Sequence, residues 1–219
     1  MRYKSQFRQS FLIFVLLGAT ACNLSPTFLQ TDAPQLSRIL QVSEIRSIQL
    51  EDDWNGLSPL SPITAHYSLQ PDATGFSGQA NFSVGGNWDI KSAVTETQTI
   101  QIPAKNVQAF LDKLAASSYT EGEYHPSTAW TDDYPSLNIT IVLQTGSISF
   151  YSSSQGENRI PWAMSYGGKT YIIDSSTPMA ALGELDPYLE HSRLDALVNR
   201  VQNTFFPPPT AVHEPANPP

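Results

Sequence analysis

Residues 75–84, GFSGQANFSV, alternate more regularly than any other stretch of this chain. Phe76, Gly78, Ala80, Phe82 and Val84 fall on one side of an extended backbone, and Ser77, Gln79, Asn81 and Ser83 on the other. Successive side chains of a strand point to opposite faces, so this pattern is a strand with one face in a core and one in water. Such a strand needs neighbours. Antiparallel sheets are the kind that keep one face wet.

Further elements follow from the same logic. Residues 45–50 and 63–69 read as strands, the second stopping at Pro71. Gly85-Gly86 suits a two-residue hairpin loop, because glycine takes positive φ without steric cost. The chain then re-enters a strand at residues 87–90 and continues through a Thr-rich run to Ile102. Leu137, Ile139, Ile141 and Leu143 alternate in the same way, and Gln144-Thr145-Gly146 turns them into Ile148 and Phe150. Gly167-Gly168 marks a third hairpin between residues 162–166 and 169–173. Pro103 ends a strand and opens a helix over 104–116, whose Val107, Phe110, Leu111 and Leu114 form a core-facing stripe. Ser175, Ser176 and Thr177 ahead of Pro178 predict another helix start. Asp186-Pro187 breaks that helix or starts a second, with the stripe Leu194, Leu197, Val198 and Val201. The expected fold is α+β: a mostly antiparallel sheet built from hairpins, with one mid-chain helix and one or two C-terminal helices. It occupies residues 44–203 as a single domain, and the proline-rich 204–219 reads as a disordered tail.

The start of the chain is of another kind. Arg2, Lys4 and Arg8 precede an apolar run from Phe11 to Leu17, then come small residues and Cys22, the one cysteine present. A positive start, a short apolar run and small residues at a cut site make an export signal. The apolar run is about half of the roughly 20 residues a membrane span needs. Ala19-Thr20-Ala21-Cys22 resembles the signal of bacterial lipoproteins, which usually carry Leu where this chain has Ala19. The resemblance implies cleavage of residues 1–21, lipidation of Cys22 with acyl chains such as palmitate, and a membrane anchor through it. Asn23 in place of Asp favours, by the same resemblance, the outer membrane or cell surface over inner-membrane retention. Residues 22–43 carry two prolines and no clear period and are expected to be a tether. The order of strands, helix, Asp132-Asp133-Tyr134-Pro135, strand pair and closing helix resembles small uncharacterised bacterial lipoprotein domains.

Removing residues 1–21 takes away three of twelve basic groups and none of twenty acids, so nine against twenty leaves a net charge of −11. That charge repels phosphate backbones, which argues against a nucleic-acid partner. It also leaves Cys22, not a basic patch, as the contact with anionic lipid. With its lone cysteine committed, the domain has no disulfide and relies on its core.

Motifs for chemistry are missing. His66, His125, His191 and His213 are scattered without metal-motif spacing, and there is no nucleophile elbow, phosphate loop, metalloprotease motif or cofactor motif. Two acidic clusters stand out, Glu51-Asp52-Asp53 before Trp54 and Asp132-Asp133 between Trp130 and Tyr134. Grouped carboxylates can bind calcium, but neither has the alternating spacing of a calcium loop, and solvated loops are the plainer expectation. Trp54, Trp88, Trp130 and Trp162 sit beside turn-like residues, where aromatics either cap the core or stack on sugars and protein partners. Residues 117–135 form a long loop holding Tyr119, Tyr124, Trp130 and Tyr134; disorder depletes aromatics, so this loop is expected to be ordered over one edge of the sheet. Trp130, Asp132, Asp133 and Tyr134 are the candidate ligand-binding residues.

The sequence thus points to a lipid-anchored extracytoplasmic binding or envelope-interaction protein without catalysis, facing an envelope protein or glycan. The alternative is a cell-envelope hydrolase in which folding brings a carboxylate such as Asp132 or Asp133 to a histidine, which needs a concave pocket holding both.

Overall fold

A computed structural model describes residues 33–86, 89–127, 134–205 and 207. The sheet is built of nine strands: β1 (Ile45–Asn55), β2 (Ile63–Pro71), β3 (Gly75–Gly86), β4 (Asp89–Pro103), β5 (Thr120–Glu121), β6 (Tyr134–Leu143), β7 (Gly146–Ser152), β8 (Trp162–Tyr166) and β9 (Lys169–Ile173). Their order is β4-β3-β2-β1-β6-β7-β8-β9-β5, and every pairing is antiparallel. The helices are α1 (Leu36–Ile39), α2 (Ala104–Ala115), α3 (Thr177–Leu182) and α4 (His191–Phe205), with short 3-10 turns at Val42–Glu44 and Asp186–Tyr188. The expected α+β class is the one found.

Alternation decides which face is covered. The row Tyr67, Leu50, Ile139, Phe150, Met164 and Tyr171 crosses six strands in register, and each of its members is buried. Helix α2 lays Val107, Phe110, Leu111 and Leu114 onto this side, all at 0% exposure, and α4 adds Leu197 and Val201. Full burial of such a side chain contributes about 1.5–3 kcal/mol, so the stripe read from the sequence is a main fastening of sheet to helix layer.

Several expectations change in detail. Glu51-Asp52-Asp53 is no loop: β1 continues to Asn55 because both of its edges are paired, with β2 and with β6. Gly85-Gly86 is no hairpin tip. Both glycines lie in β3, and a Cβ on Gly85 would stand 2.3 Å from the Ser61 carbonyl oxygen. Close approach of the Ser61-Pro62 backbone, rather than a turn, accounts for that glycine. The connection itself, with Trp88, lies outside the described residues. Gly167-Gly168 does form its tip, with φ of 59° and 77°, as a two-residue hairpin requires. Part of the expected tether is folded: Leu36 and Leu40 are 3% and 1% exposed within the core. Ser176 caps α3 without a side-chain hydrogen bond. Trp162 opens β8 at 0% exposure and donates its indole N–H to the Asn158 carbonyl oxygen at 3.0 Å.

Candidate binding face

The second face of the sheet carries the other half of each alternating strand. Register links Thr99, Gln79, Ser68, Gln49, Thr140, Ser149, Ser165 and Thr170 into one row across eight strands, from β4 to β9. Every member is a hydroxyl or an amide, and none is buried. Among the described residues none of their side chains has a hydrogen-bond partner.

The neighbouring row is partly satisfied from within. It runs Thr97, Asn81, His66, Glu51, Asn138, Tyr151, Ala163 and Ile172. The Thr97 hydroxyl donates to Asn81 Oδ1 at 2.8 Å, and the Asn138 amide donates to Glu51 Oε2 at 3.1 Å. His66 Nε2 lies 2.6 Å from Asp53 Oδ1, with 46% and 28% of the two side chains exposed. Glu51, Asp53 and His66 thus bring ionisable side chains to this face on β1 and β2. The wing β6–β9 shows Ser136, Asn138, Thr140, Ser149, Ser165 and Thr170 and no charge among its described outward side chains.

One aromatic breaks that polar surface. Tyr151 is 37% exposed on β7, between Asn138 of β6 and Ala163 of β8. The loop expected to be ordered supports it. Over its described part, residues 117–127, Tyr124 meets the Tyr151 ring at 5.7 Å and 72°, and Tyr119 meets Tyr171 at 5.4 Å. The Ser153 N–H donates to the Tyr124 hydroxyl at 2.8 Å, with the Ser152, Ser153 and Ser154 hydroxyls 3.4–3.5 Å away. Burial raises the Tyr124 pKa, but these hydrogen bonds outweigh it and leave it below the ordinary value. β5 pairs this segment with β9 at the sheet edge.

Asp52 takes the opposite side from Glu51 and Asp53. It faces the covered side near the rim, where Arg159 Nη2 donates to its Oδ1 at 2.9 Å. Arg159 is held at φ 49°, its carbonyl accepting from the Ser152 hydroxyl at 2.6 Å, and its Nη1 is buried without an acceptor among the described residues. Burial raises the Asp52 carboxyl above its usual range, against the pull of Arg159 and His191. Nearby, Tyr67 donates to the Leu189 carbonyl oxygen at 3.0 Å, which ties β2 to the segment leading into α4.

Of the residues singled out from the sequence, Cys22, Trp130, Asp132 and Asp133 lie outside the described residues, as do the signal, His213 and the tail beyond Pro207. Tyr134 opens β6 opposite Asn55. Among the described residues, carboxylate–histidine neighbours are His66 with Asp53, His191 with Asp186 at 3.6 Å, and His125 with Glu123 at 4.0 Å, each with its histidine well exposed. Among the described residues, a depression of about 450 Å³ at the β6–β7 and β8–β9 hairpin tips and one of about 210 Å³ beside Glu96 and Arg193 are lined without histidine. Among the described residues no group of three His, Cys, Asp or Glu side chains could hold a metal ion, and no helix is long and apolar enough to cross a membrane. The face centred on Tyr151 escaped the sequence reading. Its one local signal was an aromatic on the polar phase of the alternating stretch GSISFYS.

No family model matches the chain, and no curated protein matches it. A solved structure of the PH1819 protein from Pyrococcus horikoshii OT3 aligns at 10% identity over 76% of this chain and 84% of that one, with a TM-score of 0.15. A likeness of that size bears on neither fold nor function.

Proposed function

We propose that this chain is a lipid-anchored extracytoplasmic binding protein without catalysis, tethered to the envelope through Cys22 and engaging an envelope component with the open face of its sheet. The observation that carries the reading is the row from Thr99 to Thr170, whose eight uncharged polar side chains have no partner within the described chain. Polar groups unsatisfied by their own fold are available to a ligand, and binding groups mounted on rigid strands lose little entropy on engagement. The signal resemblance supplies the location. An unattached acidic domain would be repelled by anionic surfaces, so a lipid at Cys22 gives it residence there.

Two measurements test the proposal. The full chain and Cys22→Ser, expressed in a bacterial host, are fractionated after labelling with palmitate analogue; the wild type is labelled and membrane-bound, and the serine variant is neither. The Cys22→Ser chain is then sedimented with isolated envelope, alone and with Ser165→Arg added. Arginine at this exposed strand position obstructs the face without touching the core, and it should abolish co-sedimentation. Equal sedimentation of both chains would refute the open face as the binding surface.

A further inference from the structure

We infer that the open face binds a neutral polysaccharide, laid across the strands along the row Gln49, Thr140, Ser149, Ser165 and Thr170 and reaching Tyr151, two residues along β7 in the neighbouring row, where one sugar ring stacks; this rests on the binding role proposed above. Three features select that ligand. Charge comes first. The wing β6–β9 shows no acidic or basic outward side chain among its described residues, in a chain of twenty acids and twelve bases. A charged ligand would meet no counter-charge there, and a nucleic acid or acidic polymer would also meet the net negative field.

Spacing comes next. Neighbouring strands stand about 4.7–4.9 Å apart, so the row offers a polar side chain at each such step. A polysaccharide crossing the strands meets a succession of hydroxyl and amide side chains, and these can both donate to and accept from its hydroxyls. A peptide strand would need a free sheet edge for its main-chain hydrogen bonds, and this row lies mid-face.

The aromatic completes the set. A pyranose presents apolar C–H faces and a hydroxyl rim. Tyr151 offers an exposed ring among small neighbours, Ala163 at 7% exposure and the serines of β7 and β8, so a flat ring can lie close. Tyr124, edge-on at 5.7 Å and anchored by Ser153, holds that ring in place before any ligand arrives. Preorganised aromatic area with few side-chain rotors is what carries binding at such sites.

The Cys22→Ser chain is titrated by calorimetry with cellohexaose and hexa-N-acetylchitohexaose as neutral probes and with hexagalacturonate as the anionic one, beside Tyr151→Ala, Tyr151→Phe and Ser165→Arg. At least one neutral probe should bind, hexagalacturonate should not, Tyr151→Phe should keep the affinity, and Tyr151→Ala and Ser165→Arg should each lower it tenfold or more. Circular dichroism confirms folding, which these exposed positions do not threaten. Failure of both neutral probes, tighter binding of hexagalacturonate, or equal binding by Tyr151→Ala overturns the inference. If that happens while Ser165→Arg still abolishes envelope sedimentation, the binding role stands and only the ligand class falls. If Ser165→Arg is also without effect, both fall. Self-association of the free chain blocked by Ser165→Arg would instead assign the face to a second copy and overturn the polysaccharide.

Discussion

Tyr124 and Tyr151 stand edge to face, 5.7 Å between ring centroids, and they join two parts of the chain that are distant in sequence. One ring belongs to the segment that runs along the sheet edge, the other to the open face. The Tyr124 hydroxyl, accepting the Ser153 N–H, fixes both.

Tyr124→Phe should therefore loosen this corner without unfolding the domain. Loss of the acceptor leaves the Ser153 amide unpaired at a cost of about 1–3 kcal/mol, or a midpoint lowered by several degrees for a domain of this size. Thermal unfolding measures the shift, and limited proteolysis should show faster cutting within residues 117–127. An unchanged midpoint with unchanged cutting would mean the hydroxyl holds nothing.

Tyr67 gives the fold an alkaline limit. Burial first, then the Asp52 and Asp186 charges, push its hydroxyl pKa above the ordinary 10.0. The protonated phenol is the form the fold favours. Its contribution is complete below pH 10, the unfolded value, and is lost as pH climbs from there toward the folded one. Tyr67→Phe should lose about 1–3 kcal/mol near pH 7, because the buried Leu189 carbonyl loses its donor. Above pH 10 it should decline less steeply than wild type. Denaturant unfolding at pH 7, 9.5 and 11 measures both effects; parallel declines would exclude Tyr67 as the titrating group.

Leu40 tests where the domain begins. It is 1% exposed ahead of β1, in a stretch whose prolines and missing period suggested a tether. Leu40→Ala should cost about 2–5 kcal/mol, as for a core leucine. A tether residue would cost nothing measurable.

These cases show which features local sequence can carry. Helix α2 was legible because four apolar residues repeat at helical spacing, and β3 and β6 because they alternate. Leu36 and Leu40 were not, since two apolar residues in one short turn make no period. Gly85 was misread because a glycine pair serves a tight turn and a close backbone approach equally well, and only the position of Ser61 distinguishes them. The acidic triplet read as a loop because charge signals solvent, yet pairing on both edges of β1 kept it extended and sent Asp52 to Arg159. The open row was out of reach. Each strand shows its own polar phase, but aligning eight of them into one line is set by register, a tertiary property.

The claim that the open face binds is tested most directly by chemical protection. In the Cys22→Ser chain, a single cysteine is placed at Ser165 on the open face or at Asn199 on the outer side of α4, both exposed. Maleimide labelling of each is timed with and without isolated envelope. Engagement through the open face predicts that Ser165→Cys is labelled more slowly as envelope is added while Asn199→Cys keeps its rate. Protection of Asn199→Cys with unhindered labelling of Ser165→Cys would place the binding surface on the helix layer and contradict the account.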